Sequence, residues 1–145
     1  MISDQRVALV TGSSSGNGYE TSLTLARKGF MTYATMRNLT KGDSIKSVAE
    51  KEKLPLKIVQ LDVTDDGSIK NAVQSIISEA SGIDVLVNNA GYAVSDAFED
   101  LSMEEMKAQY ETNLFGLIRV TQAVLPLSLP RLVVPSSLFL NTYSL

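Results

Sequence analysis

Three glycines punctuate the stretch TGSSSGNG, residues 11–18, in the spacing Gly12-x3-Gly16-x-Gly18. Glycine adopts backbone angles that side chains forbid, and it lets a ligand or a second segment come close to the main chain. Where such a loop joins a strand to a helix, the free N–H groups and the dipole at the helix start attract phosphate. The three positions suit a tight turn, close approach to a pyrophosphate, and close packing of helix on strand. The chemistry indicated is nucleotide binding.

About twenty residues further on, ATMRN ends a second apolar run with Met36, Arg37 and Asn38 and no acid. A carboxylate there would accept hydrogen bonds from a ribose 2′-hydroxyl and repel a 2′-phosphate. Arg37 instead offers a fork of donors that matches a phosphate. The expectation is NADP(H) rather than NAD(H), with Ser14 and Ser15 as helpers. A solvated arginine at a strand end is the plainer alternative. The chain contains no cysteine and no histidine. Thiol chemistry, disulfides, zinc sites of the usual ligand types and histidine-based triads are thereby excluded. Any acid or base must be a carboxylate, a lysine or a tyrosine.

The surrounding pattern supplies a frame for these residues. Short apolar runs at 7–11, 30–36, 56–63 and 83–91 read as strands. Between them, the segments 19–29, 42–53 and 65–80 have helical period. Ile69, Val73, Ile76 and Ile77 fall on one stripe of the third helix, and two acids stand at its positive end. Strands alternating with helices imply right-handed crossovers and a parallel sheet covered on both faces. A single long helix is expected over 102–125, stopped by Pro126. At 145 residues, 44% apolar and 20% charged, the chain is that of a globular domain. Its net charge of −3 and scattered lysines give no basic face for nucleic acid. No stretch approaches the roughly 20 apolar residues that span a bilayer, and the start is not a signal peptide. A cytoplasmic location is expected.

The motif Thr11-Gly12-x3-Gly16-x-Gly18 resembles that of the short-chain dehydrogenases/reductases, as does NNAG at 88–91. The resemblance runs over residues 5–126, about half of a usual family member. It implies an α/β Rossmann fold: a doubly wound parallel sheet of strand order 3-2-1-4-5 in three αβα layers, C-terminally incomplete here. Residues 1–126 would be the dinucleotide-binding domain. Asn17 replaces the usual isoleucine, and its backbone N–H would meet the pyrophosphate. Asp62, by its side chain, and Val63, by its backbone, would contact the adenine, although an aspartate after a strand is more often a turn residue. Asn89, Ala90 and Gly91 would line the cofactor ribose. Asn113 would kink its helix and hold a water of a proton relay. The helix 102–125 would form a homo-oligomer contact. YATMRNL and VLVNNAGYA most resemble the branch acting on steroids, retinoids and other lipophilic alcohols.

Beyond residue 126 the resemblance fails. The family carries a serine, then a tyrosine, then a lysine four residues after it; the lysine lowers the tyrosine pKa for proton transfer. Within the atypical apolar tail 127–145, Ser136 or Ser137 echoes the serine, and Ser137 is taken as the candidate. Tyr143 follows too soon, and no lysine exists beyond Lys107. The chain is expected to be the truncated cofactor half of an NADP(H)-dependent oxidoreductase, inactive alone. Completed, it would act on a small-molecule carbonyl or secondary alcohol. The alternatives are a non-catalytic NADP(H)-binding module and a defective product of a shifted frame or early stop.

Overall fold

The computed structural model describes residues 5–94 and 97–127. Four strands, β1 (Val7–Val10), β2 (Met31–Met36), β3 (Leu56–Gln60) and β4 (Val85–Val87), form a parallel sheet of order β3-β2-β1-β4. The register pairs Val7 with Met31, Ala8 with Val85 and Met36 with Gln60. Helices α1 (Gly16–Arg27), α2 (Asp43–Glu52) and α3 (Asp66–Glu79) make the crossovers. The α/β doubly wound architecture is thus as expected. A fifth strand, Ser136, Ser137 and Tyr143, and all of the tail 127–145 but its first residue, lie outside the described residues.

The period-2 alternation of strands sends side chains to two cores. Leu9, Tyr33, Leu61 and Leu86 pack with Ile69, Val73 and Ile76 of α3 on one face. Ala34 and Met36 pack with Leu23 of α1 and Ile45 of α2 on the other. Leu9, Ile45, Ile76 and Leu86 are wholly buried, and each such side chain stabilises by about 1.5–3 kcal/mol relative to exposure. Beneath the first core, the buried Tyr33 hydroxyl donates to Glu79, which also pairs with Lys57. Burial first, and then the Glu79 charge, pushes the Tyr33 phenol up to about 12.

Helix starts follow the sequence closely. The Asp65 side chain accepts from Ser68 N at 2.9 Å and caps α3, with Asp66 in the first turn. Ser102 and Glu105 form a reciprocal capping box on α4 (Met103–Tyr110). The single helix expected over 102–125 is interrupted. A π-helical turn, Glu111–Gly116, separates α4 from α5 (Leu117–Val124). Such turns widen a helix and recur at functional sites. The third and fourth strands are also shorter than their apolar runs. After Gln60, Asp62 turns the chain by accepting from Thr64 N and Thr64 Oγ1. After Asn88, residues 89 and 90 leave the sheet and bond Thr11 in the loop that follows β1.

Candidate dinucleotide-binding site

Strand order reverses about β1: the chain winds outward through β2 and β3, then crosses back to β4 on the other side. Such a reversal leaves a crevice beyond the strand ends, where ligands settle in open α/β sheets. A cleft of about 630 Å³ opens there. It is bounded by the loop after β1, the end of β2, the turn after β3 and the turn after β4. A larger cavity, about 740 Å³, lies between α2 and β3, but aliphatic side chains, lysines and the acids Asp43 and Glu50 line it, and the loop after β1 does not reach it.

The loop is built on hydroxyl groups. Ser13 is fully buried; its N–H donates to Thr35 O and its hydroxyl to Val10 O. The Ser22 hydroxyl reaches Ser13 Oγ at 3.0 Å and Gly18 O at 2.7 Å, tying α1 to the loop. Thr11 Oγ1 accepts from the N–H groups of both Asn89 and Ala90 at 3.0 Å. The Asn89 side chain donates back to the carbonyls of Thr11 and Gly12. The two glycine-containing motifs, nearly eighty residues apart, are therefore one hydrogen-bonded unit.

Each glycine of the loop has its own reason. Gly12 has φ +68°, and a Cβ there would lie 2.7 Å from Ala90 Cα. At Gly18 a Cβ would meet Gly12 O at 2.3 Å and Asn89 Nδ2 at 2.4 Å. Both are required by packing of the protein on itself. Gly16 has φ +58° but open space above it, so its surface is left to an approaching group. The adjoining start of α1 has Ser15 at its cap position with no side-chain cap bond. Backbone donors and the positive end of a twelve-residue helix face that opening, which fits a pyrophosphate.

The cleft is lined by Gly12, Ser14, Ser15, Gly16, Asn17, Arg37, Asp62, Val63, Asn89, Ala90 and Gly91, all named by the sequence. Gly18, also named, packs beneath the loop and does not line the cleft. Arg37 is the one cation among the described lining residues, exposed at the end of β2 and in no ion pair. Behind it, Asn38 Oδ1 accepts from Thr40 N and Thr40 Oγ1, which holds the chain in a 3₁₀ turn. Asp62 is the one acid in the lining. Its Oδ1 is engaged by Thr64, so the turn role and a place in the cleft coexist.

Asn113 does not line the cleft. Its Oδ1 accepts from Tyr92 N at 3.0 Å and its Nδ2 donates to Tyr92 O at 2.7 Å. Both ends of the side chain thus hold the turn after β4, and the expected helix distortion is the π turn. Met36, Leu61, Tyr92 and Thr112 also line the cleft, unanticipated from sequence. Gly116 was equally unread: a Cβ there would lie 2.6 Å from Val63 Cγ2. Only a glycine lets the π turn approach the residue that follows β3.

These features coincide with a known family. The sequence profile described as short chain dehydrogenase matches residues 6–132. An uncharacterized oxidoreductase, YusZ, of Bacillus subtilis is 41% identical over 125 residues, covering 85% of this chain and 44% of that protein. Human retinol dehydrogenase 8 is 38% identical over 130 residues, covering 87% and 41%. An actinorhodin polyketide ketoreductase solved with NADPH superposes with TM-score 0.79 at 32% identity, covering 84% of this chain and 47% of that one. The chain spans less than half the length of each. With the glycine loop, the switch-point cleft and the NNAG turn joined in one unit, this chain belongs to the short-chain dehydrogenase/reductase family.

Proposed function

We propose that the chain binds NADP(H) in the cleft between β1, β2 and β4, as the cofactor-binding part of an oxidoreductase. The single observation that carries this is Arg37, exposed at the mouth of the cleft and free of any acid partner among the described residues. Gly16 and the start of α1 hold the pyrophosphate. Arg37, with Ser14 and Ser15, takes the 2′-phosphate. Asp62 and Val63 receive the adenine, and Asn89, Ala90 and Gly91 the ribose. A nicotinamide held there would supply or accept a hydride for a carbonyl or secondary alcohol only in a complete enzyme that also carries the proton-transfer residues. The likeness to a retinol dehydrogenase supports a lipophilic substrate. None of the helices among the described residues is long and apolar enough to cross a membrane.

The 145 residues contain no tyrosine followed four places later by lysine. Proton transfer at the substrate oxygen has no carrier of that kind here, so the chain binds cofactor without turnover. Titration calorimetry of the 145-residue chain is the test. NADPH binding at least tenfold tighter than NADH is expected; equal or absent binding overturns the reading.

A second reading, a non-catalytic NADP(H) module, rests on the same missing dyad. It is separated from the first by the nucleotide sequence past codon 126, read in all frames. A downstream Tyr-x3-Lys supports an interrupted enzyme, and its absence supports the module.

A further inference from the structure

The ladder between β2 and β3 ends at Met36 and Gln60, with a last bond from Leu61 N to Met36 O. Beyond it the strands diverge to the two sides of the cleft mouth, Arg37 on one side and Asp62 on the other. Four hydrogen-bonding groups join them across this gap. Asp62 N donates to Ser68 Oγ at 2.9 Å. Ser68 Oγ donates to Gln60 Oε1 at 2.9 Å. With its oxygen so engaged, the Gln60 amide directs Nε2 at Arg37 O, 3.4 Å away. Ser68 is itself fixed by its backbone bond to the Asp65 cap. The arrangement runs donor to acceptor in one direction, so each bond orients the next.

We propose that Gln60 is a positioning residue for cofactor choice: it sets where Arg37 leaves the sheet relative to Asp62, and so where the guanidinium meets a 2′-phosphate. This rests on the reading of Arg37 as the 2′-phosphate partner. Gln60 lines no part of the cleft and is exposed, so it acts through the Arg37 backbone and touches no ligand. A planar donor fork is sensitive to small displacements of its anchor. A ligand without the 2′-phosphate is indifferent to them.

The test compares NADPH with NADH, and 2′,5′-ADP with 5′-AMP, by calorimetry on the full chain. Gln60→Leu is expected to weaken the two 2′-phosphate ligands by about threefold to tenfold, the effect of one hydrogen bond, and to leave the other two within about twofold. Ser68→Ala, which frees Gln60 from its other end, is expected to shift the same ratio. In an Arg37→Ala background, Gln60→Leu is expected to do nothing further, whereas a general structural role would persist there. If Arg37→Ala abolishes the 2′-phosphate preference while Gln60→Leu and Ser68→Ala leave it intact, the positioning role alone is overturned. If the wild type shows no preference, the Arg37 reading fails and this inference fails with it.

Discussion

The side-chain nitrogen of Asn89 lies 3.1 Å from the carbonyl of Thr11 and 3.0 Å from that of Gly12, so the turn after β4 holds the phosphate loop in place. Thr11 returns the contact by accepting two N–H groups on one hydroxyl. Thr11 is 1% exposed, and water cannot replace it. Thr11→Val keeps the volume and strands both donors, with an expected loss of about 1–3 kcal/mol in urea unfolding. Thr11→Ser is expected to recover most of it. Equal stability for Thr11→Val and wild type would show that the two motifs are not coupled through this hydroxyl.

The glycines Gly16 and Gly18 separate ligand approach from packing. Gly18→Ala forces a methyl group into Gly12 O and Asn89 Nδ2, and overpacking of this kind costs about 1–3 kcal/mol. Gly16→Ala meets nothing and carries only the left-handed backbone penalty, about 1–2 kcal/mol. The ligand effect is expected to reverse the emphasis, with NADPH affinity falling more per unit of lost stability for Gly16→Ala. Paired urea and calorimetric titrations of both variants read this out.

The parts of the site legible in the sequence are those fixed by local backbone demands. Gly12, Gly16 and Gly18 announce a loop, Asp65 and Asp66 a helix start, and the apolar runs a buried parallel sheet. Arg37 was legible because its place is set by the length of one βαβ unit. The residues that were not legible act through contacts distant in sequence. Asn113 is singled out by the family resemblance, but its grip on Tyr92, twenty-one positions earlier, shows only when the two are brought together. Gly116 shows its purpose only when Val63 lies against it. Gln60 reads as a solvated glutamine inside the run 56–63, and its bonds to Ser68 and Arg37 show their purpose only in the fold. The runs read from sequence overstate β3 and β4 because Leu61, Asp62 and Val63, like Asn89, Ala90 and Gly91, lie beyond the sheet and line the cleft.

Asn113 grips Tyr92 by its backbone, one bond in each direction. Asn113→Asp keeps the acceptor but places an oxygen against Tyr92 O. At pH 7 the variant is expected to lose about 1–3 kcal/mol. Protonation of the new carboxyl restores a donor, so its deficit relative to wild type shrinks as pH falls toward 4. A deficit constant between pH 7 and 4 in denaturant titrations would show that the carboxylate has turned away from Tyr92.

The segment from α4 to α5 exposes Met103, Tyr110, Phe115, Ile118 and Leu125 at 39–62% of their surfaces. Met103 and Tyr110 are seven residues apart, as are Ile118 and Leu125, so each pair lies on one helix face. An apolar face of this extent favours self-association. We expect sedimentation velocity to show an oligomer for the wild type and a shift to monomer for Tyr110→Glu combined with Phe115→Glu. A wild type that is monomeric at high micromolar concentration excludes this contact.

Tyr33 gives the protein an alkaline limit that belongs to its core. The phenol is raised to about 12 by burial and by Glu79, against about 10 in an unfolded chain. Between these values the folded state holds a proton that the unfolded state has released. Stability from this group is therefore fully present below about pH 10 and declines as pH rises through 12, by roughly 1.4 kcal/mol per pH unit. Tyr33→Phe removes the titrating group while keeping the ring in its place beside Leu9 and Ile76. In urea titrations from pH 9 to 12, the wild type is expected to lose stability more steeply than Tyr33→Phe, and the difference isolates Tyr33 from other alkaline groups. Parallel curves for the two proteins would mean that the folded state ionises Tyr33 as readily as the unfolded one, and that the Tyr33–Glu79 contact opens in solution.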